Sequence, residues 1–360
     1  MALVAPPFLP VPPPGYGGIE RIVAAVAEGL VRHGHDVTVY AAPGSSTTAR
    51  LVTPLRAPAV LGDPSSAGDE LYHAMAAYLD ASSFDVIHDH TGLGPALGAV
   101  LSGSPAVVHT LHGPWTEPAR RFFEALQRRV HLVAISHAQR AANGGLHYAG
   151  VVHNGVDLAR YRFNPAKEDF LLFLGRVSPE KRPEVAIDVA RRAGRPLVMV
   201  VKRTEPAERD YWEAVVAPRL GDDVEVLDQP SHEVKVDVLG RARAMLFPID
   251  WPEPFGLVMV EAMACGTPVV ARRLGAAPEV VDDGTTGYLC WTDEEMVKAV
   301  DAVGDLDPAD CRHHVDRHFS ADAMVAGYER IYHRALVECT TGPGRRTRRP
   351  GGEGRLVSPL

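Results

Sequence analysis

Cysteine is scarce in this 360-residue chain. Cys265, Cys290, Cys311 and Cys339 stand far apart and form no C-x-x-C pair. That excludes a disulfide framework and offers no zinc spacing, and it suits unpaired thiols in a reducing compartment. Long apolar runs are missing too. None approaches the ~18–20 residues that span a bilayer, so no transmembrane helix is expected. The start, Met-Ala-Leu-Val-Ala-Pro-Pro, has no basic region and no apolar stretch of signal-peptide length, so the expected location is cytoplasmic. A surplus of positive charge is also absent: 37 Lys and Arg face 45 Asp and Glu, for a net charge of −8. No nucleic-acid partner is therefore expected. The few bases that exist are overwhelmingly Arg. The G-x-G-x-x-G fingerprint is missing, which disfavours a nicotinamide-dependent dehydrogenase.

What remains is ordinary globular material, 46% hydrophobic and 23% charged, with room for about two domains at ~150 residues each. Short runs rich in Val, Leu and Ile alternate with helical patterns. Strands are expected at 3–5, 37–41, 84–88, 106–111 and 132–135, with helices at 19–30, 93–101 and 117–130 between them. Asn154-Gly155 marks a turn, and 160–169 reads as a linker. The alternation then restarts, with strands at 170–174, 197–201, 224–227, 244–248 and 268–271 and a helix at 183–192. Buried strands alternating with helices imply two consecutive α/β domains, each with a parallel sheet covered on both faces. Only helical patterns follow Asp293, ending in an amphipathic stripe over 321–337. The last twenty residues, rich in Gly, Pro and Arg, read as a disordered basic tail. The expected domains are 1–160, 161–320, a helix at 321–340 and the tail at 341–360.

Four constellations carry chemistry. The first is Glu253-Pro-Phe-Gly-Leu-Val-Met-Val-Glu261. Gly256 marks a turn and a helix starts near Leu257, so Glu253 sits on the loop before it. Glu261 lies roughly 6–8 Å further along the axis. The helix around Glu261 is apolar on every side and therefore buried, so this carboxylate requires hydroxyls or a cation as partner. The free N–H groups of such a helix start suit a phosphate. A structural Glu in a salt bridge is the competing account. The second is Gly175-Arg-Val-Ser-Pro-Glu-Lys181, where Arg176 and Lys181 follow a strand end and suit a diphosphate, unless they are plain surface charge. The third is Gly15-Tyr-Gly-Gly18, where Gly17 and Gly18 let backbone approach a ligand at a helix start.

The fourth is histidine at strand ends: His88, His90, His109 and His112. His112, before Gly113-Pro114, is the candidate to touch substrate, and the other three read as buried, satisfied side chains. No metal site is expected. Asp305-Leu-Asp307 reads as a helix-cap turn rather than a chelating pair. The helix expected at 117–130 interleaves Phe122, Phe123, Leu126 and Val130 with Arg120, Arg121, Arg128 and Arg129. A solvated Arg face is its plain account, and a weak peripheral membrane contact is the alternative.

In this order, these segments resemble the family 4 retaining glycosyltransferases of the GT-B fold. The resemblance runs through Gly17-Gly18-Ile19-Glu20, His109-Thr-Leu-His-Gly-Pro114, Ile135-Ser136, Asn154-Gly-Val-Asp157, Gly175 to Lys181 and the Glu253 to Glu261 motif. It implies two Rossmann-like domains facing across a cleft, with the last helix crossing back onto the first. It implies a nucleoside-diphosphate sugar as donor, a sugar or lipid-linked acceptor, and no cofactor. Arg176 and Lys181 would hold the diphosphate, and Glu261 the ribose hydroxyls. Glu253, with the backbone of Phe255, Gly256, Leu257 and Val258, would hold the transferred sugar. His112 would lie near its anomeric carbon, and Gly17 and Gly18 near the phosphates. A non-hydrolysing UDP-sugar epimerase and a nucleotide-sugar-binding protein without turnover are the competing functions. The loop Leu274-Gly-Ala-Ala-Pro-Glu279 carries one Gly where many members have two, which bears on sugar identity.

Overall fold

The computed structural model describes residues 1–100 and 105–341. Two parallel sheets organise them. The first holds β1 (Ala2–Val4), β2 (Thr38–Tyr40), β3 (Arg50–Val52), β4 (Val86–Asp89), β5 (Ala106–Leu111), β6 (His131–Ala134) and β7 (Tyr148–Val151), in the order 3-2-1-4-5-6-7. The second holds β8 (Leu171–Arg176), β9 (Leu197–Lys202), β10 (Val224–Asp228), β11 (Ala244–Phe247), β12 (Val269–Arg272) and β13 (Gly287–Cys290), in the order 10-9-8-11-12-13. All pairings are parallel. Helices cover both faces of each sheet, and the central strands are buried throughout, as a parallel sheet requires.

Each sheet reverses its strand order once, between β1 and β4 and between β8 and β11. Ligands of such sheets bind outside the carboxyl ends of the strands at that reversal. The loops leaving β1 and β4 and those leaving β8 and β11 all line one cleft of about 1000 Å³ between the domains.

The last helix, Ala321–Thr341, carries Met324, Val325, Tyr328, Ile331 and Tyr332 into the core of the first domain. Tyr332 and Tyr328 bond His88 (2.7 Å) and Thr110 (3.1 Å), respectively. The chain thus crosses from the second domain back onto the first. The tail expected at 341–360 lies, after Thr341, outside the described residues.

Several expectations are corrected in detail. The stretch 42–69, for which the sequence gives no expected strand or helix, contains β3 and the start of the helix Ser66–Leu79. β7 and β13 were not anticipated. The helix expected at 93–101 spans Pro95–Val100 among the described residues. The helix expected at 117–130 ends at Leu126, and Phe123, Leu126 and Val130 are all buried in the first domain. The apolar stripe that a membrane contact would use is thus occupied by the protein's own core. Asp307 caps the helix Pro308–His318 through the Ala309 N–H at 2.8 Å. Among the described residues, no helix is long and apolar enough to cross a membrane. Burial pushes the thiols of Cys265 and Cys311 up to about 12 and that of Cys290 to about 11, so all three are inert packing residues.

Candidate active site

The second domain's wall is built at the ends of β8 and β11. After β11 the chain runs out through Asp250 to Phe255 and turns at Gly256, whose φ of 82° is left-handed and costs glycine little. The helix Leu257–Ala264 follows, and its glycine cap offers no side-chain bond, so no side chain competes for the first-turn N–H groups. Leu257 and Val258 are half-buried along the cleft. Phe255 is buried, its ring packed beside His153 and Phe319, so only its backbone is available to a ligand.

Glu261 is 3% exposed, and Met259 to Ala264 around it are sealed from solvent. Its partners are the Tyr161 hydroxyl, donating at 2.6 Å, and the Lys235 ammonium at 2.7 Å. Burial pushes this carboxyl up, but the Lys235 charge and the two hydrogen bonds outweigh it, so the net shift is downward and Glu261 is ionised. A carboxylate has about four lone-pair sites, so two acceptor positions remain for ligand hydroxyls. Lys181 bonds Glu253 and lies 5.6 and 5.2 Å from the ring centres of Phe247 and Trp251. Arg176, the last residue of β8, pairs with Glu180 at 3.2 Å. Both cations keep N–H donors beyond those pairs. Lys202 bonds Glu205 (2.8 Å) and Glu208 (3.0 Å) and sits over the Tyr16 ring of the first domain at 5.1 Å.

The first domain's wall comes from the loops after β1, β4 and β5. Gly17 has φ 145°, and a Cβ there would press on the Pro13 ring. Gly18 opens the helix Gly18–Arg32 and has free space where a Cβ would stand. Both line the cleft. Glu20, in the first turn, is 5% exposed, and burial raises its carboxyl to about 7. Glu70 accepts the Gly92 N–H at 2.6 Å, and His73 on the same helix bonds the Ala5 carbonyl at 3.0 Å. One helix therefore anchors the loops after β1 and β4. His112 lines the cleft with its Nε2 2.8 Å from Nδ1 of His90. Burial lowers His112 to about 4 and holds His90 well below its usual value, so the pair is neutral at pH 7. His88 is satisfied on both ring nitrogens, by Tyr332 and Thr110. Nε2 of His90 and Nδ1 of His109 are buried without a hydrogen-bond partner among the described residues. The expectation of three satisfied histidines therefore holds for His88 alone.

The structure brings His112, Arg176, Lys181, Glu253, Glu261, Gly17, Gly18 and the 255–258 turn to one cleft. Sequence reasoning missed Tyr161, Lys235, Glu20, Glu70 and Lys202. Tyr161 lay in a stretch read as linker. Lysine scarcity was the usable signal for two others, since Lys181, Lys202 and Lys235 all line the cleft. A second unforeseen group is His137, His153 and Glu279, whose ligand-type atoms lie within 4.8 Å of one another. The Glu279 oxygens accept the backbone N–H of His137 (2.7 Å) and Ala138 (2.6 Å) and bond His153 (3.0 Å). Those commitments make Glu279 a cap reaching from the second domain onto a helix start of the first.

Two family models match this chain. Residues 16–160 match Glycosyltransferase Family 4, and residues 159–313 match Glycosyl transferases group 1. A D-inositol 3-phosphate glycosyltransferase of Mycolicibacterium smegmatis is 29% identical, over 87% of this chain and 86% of the relative. A phosphatidyl-myo-inositol mannosyltransferase of Propionibacterium freudenreichii is 30% identical, over 76% and 78%. Among solved structures, a glycosyltransferase involved in avilamycin A biosynthesis superposes with a TM-score of 0.72 at 29% identity, covering 93% of this chain and 97% of the other.

Proposed function

Because the chain belongs to glycosyltransferase family 4 and has the two-domain GT-B architecture, we propose that it moves a hexose from a nucleoside-diphosphate sugar to an acceptor hydroxyl, with retention of anomeric configuration and without a metal or other cofactor. One observation carries this reading. Arg176, Lys181 and Lys235 converge with Glu253 and Glu261 on the start of the helix Leu257–Ala264, at the strand-order reversal of the second sheet.

In this reading the diphosphate lies on Arg176, Lys181 and the helix N–H groups, where partial positive charge and free donors meet it. Glu261 accepts the ribose hydroxyls at its two remaining positions. Glu253, held by Lys181, accepts hydroxyls of the transferred hexose. The bond from the anomeric carbon to the diphosphate oxygen breaks, and the acceptor oxygen bonds that carbon from the same face. The acceptor's proton passes to the departing phosphate oxygen. Arg176 and Lys181 stabilise the charge that develops on that oxygen, so the catalysis is chiefly electrostatic. Neutral His112 serves as a hydrogen-bonding group beside the sugar rather than as a cation. The names of the relatives give cyclitol phosphates as one acceptor class, on which the first-domain wall of this chain bears.

The test is thermal unfolding with UDP, GDP, ADP and TDP, each with and without EDTA. A ligand that binds only the folded form raises the midpoint by mass action. One nucleoside diphosphate is expected to raise it equally in EDTA, and Lys181→Ala to remove most of the rise. No rise with any of them would overturn the donor site. Transfer that depends on an added acceptor separates this activity from epimerisation of the donor.

A further inference from the structure

His112 enters the cleft just past the end of β5 with one ring nitrogen already taken. Its Nε2 lies 2.8 Å from Nδ1 of His90, which stands just past the end of β4. The two ring centres are 5.1 Å apart, and the ring planes are 27° from each other. That is the separation of two rings joined end to end, so the bond lies close to both ring planes, where imidazole N–H bonds and lone pairs point. His90 is pinned through its backbone and its ring face. The Asp89 carboxylate takes the Thr91 N–H (2.7 Å) and hydroxyl (2.8 Å), and the His90 N–H donates to the Val4 carbonyl at 2.9 Å. The His88 ring packs on the His90 ring at 4.0 Å between centres, and is itself fixed by Tyr332 and Thr110.

One proton lies between these two nitrogens, because burial keeps both rings neutral at pH 7. A neutral imidazole has one N–H and one bare nitrogen, so the direction of this bond fixes both rings. If His112 donated from Nε2, His90 would carry its own proton on Nε2. That nitrogen is buried without a partner among the described residues, in a side chain 3% exposed. The result would be an orphaned buried N–H, which folded proteins seldom hold. If His90 donates from Nδ1, its orphan is a bare nitrogen, and unpaired acceptors are tolerated somewhat more often than unpaired donors. His112 then accepts on Nε2 and carries its proton on Nδ1. His112 is half-buried and lines the cleft, so Nδ1 is the nitrogen left for a ligand.

We propose that His90 is a positioning residue: its Nδ1–H fixes His112 in the tautomer protonated on Nδ1, so that His112 meets the transferred sugar as a hydrogen-bond donor and not as an acceptor. The inference rests on the transferase reading and gives His90 a part in it that acts through His112. A donor held in place before the sugar arrives needs no ring rotation or proton exchange at the moment of reaction.

The experiment uses the full chain carrying nitrogen-15-labelled histidine. Long-range proton–nitrogen correlation separates protonated from bare ring nitrogens, and the His112 signals are those missing in His112→Gln. The parent is expected to show His112 protonated on Nδ1 and bare on Nε2. His90→Asn puts an amide N–H where Nδ1–H stood and is expected to keep that pattern. His90→Phe keeps a ring against His88 but offers no donor, and is expected to move the His112 proton to Nε2 or to mix the two forms. Nucleotide release is then measured from UDP-glucose or GDP-mannose, whichever carries the nucleotide that gives the thermal shift. His90→Phe is expected to lose at least tenfold in kcat with KM changed less than threefold, and His90→Asn to recover most of that loss. A His112 proton on Nε2 in the parent overturns the inference, as does an equal loss of kcat in the two variants or a loss in neither. The parent spectrum decides even where His90→Phe does not fold or turnover is undetectable. Absence of any nucleotide-induced shift is instead the failure of the transferase reading.

Discussion

Glu20 and Glu261 are both carboxylates buried at the cleft, and their surroundings drive them apart. Glu261 has an ammonium and a phenol as partners and stays ionised. Glu20 has burial as its dominant influence and rises to about 7 from 4.5. The sign of the linkage follows. Its folded state holds the proton more tightly than the unfolded chain, so the stabilising contribution is complete below about pH 4.5 and is lost as pH rises through about 7. Glu20→Gln keeps the shape and removes the ionisation. The variant should gain on the parent by roughly 2–3 kcal/mol between pH 4.5 and pH 8, following the size of the shift. Urea unfolding of both proteins at the two pH values measures this, and a difference that does not change with pH would show that Glu20 is ionised in the fold.

At the scale of elements, the Glu253 loop is held from beneath by a second loop. The Ala276 N–H donates to the Glu253 carbonyl at 2.9 Å, and Gly275 lies flat against the Glu253 backbone with φ 55°. A Cβ on Gly275 would overlap the Glu253 backbone N and O. Gly284 also has a left-handed φ, 84°, but open space where its Cβ would stand. Both Gly→Ala variants therefore incur backbone strain of about 1 kcal/mol, and only Gly275→Ala displaces the loop. The expected outcome is at least a tenfold loss of kcat/KM in Gly275→Ala with Gly284→Ala near parental activity. Equal losses would remove the loop's supporting role. This contact also shows what a sequence can and cannot disclose. The strand–turn–helix unit from β11 to Ala264 was legible because its turn residue, helix start and both carboxylates are sequence neighbours. Tyr161 and Lys235 were not, because they reach Glu261 from 100 and 26 residues away. β7 was missed because all four of its residues are half-buried, without the apolar run that marks a central strand. β3 was missed because it is a three-residue edge with an exposed Arg50.

At the scale of the molecule, the cleft is useful only if the two walls are held at a working separation. Contacts across the domain boundary bear on it. Val156 and Ser320 form a bridge where the chain passes between domains, with the Val156 N–H on the Phe319 carbonyl (2.9 Å) and the Ala321 N–H on the Val156 carbonyl (2.8 Å). Gly155 packs against the Ser320 carbonyl there, leaving no room for a side chain. At the mouth of the cleft Lys202 sits over Tyr16. Glu279 also reaches across to the N–H groups of His137 and Ala138 and to His153. The bridge is held by backbone bonds, whereas Glu279 adds side-chain bonds across the domain boundary that oppose opening. Burial raises the Glu279 carboxyl, and His153 with the two N–H groups more than reverses this, so it is ionised and strongly held at neutral pH. Glu279→Ala removes all three bonds while leaving Arg176, Lys181, Glu253 and Glu261 in place. The variant should show a larger radius of gyration by small-angle scattering, and the nucleotide should restore less of the parental value. It should also unfold at a lower midpoint, since two first-turn N–H groups lose their acceptor, at about 1–3 kcal/mol for groups left unsatisfied. An unchanged radius with a lowered midpoint would make Glu279 a helix cap alone, and the separation of the walls would then rest on the backbone bridge and the last helix.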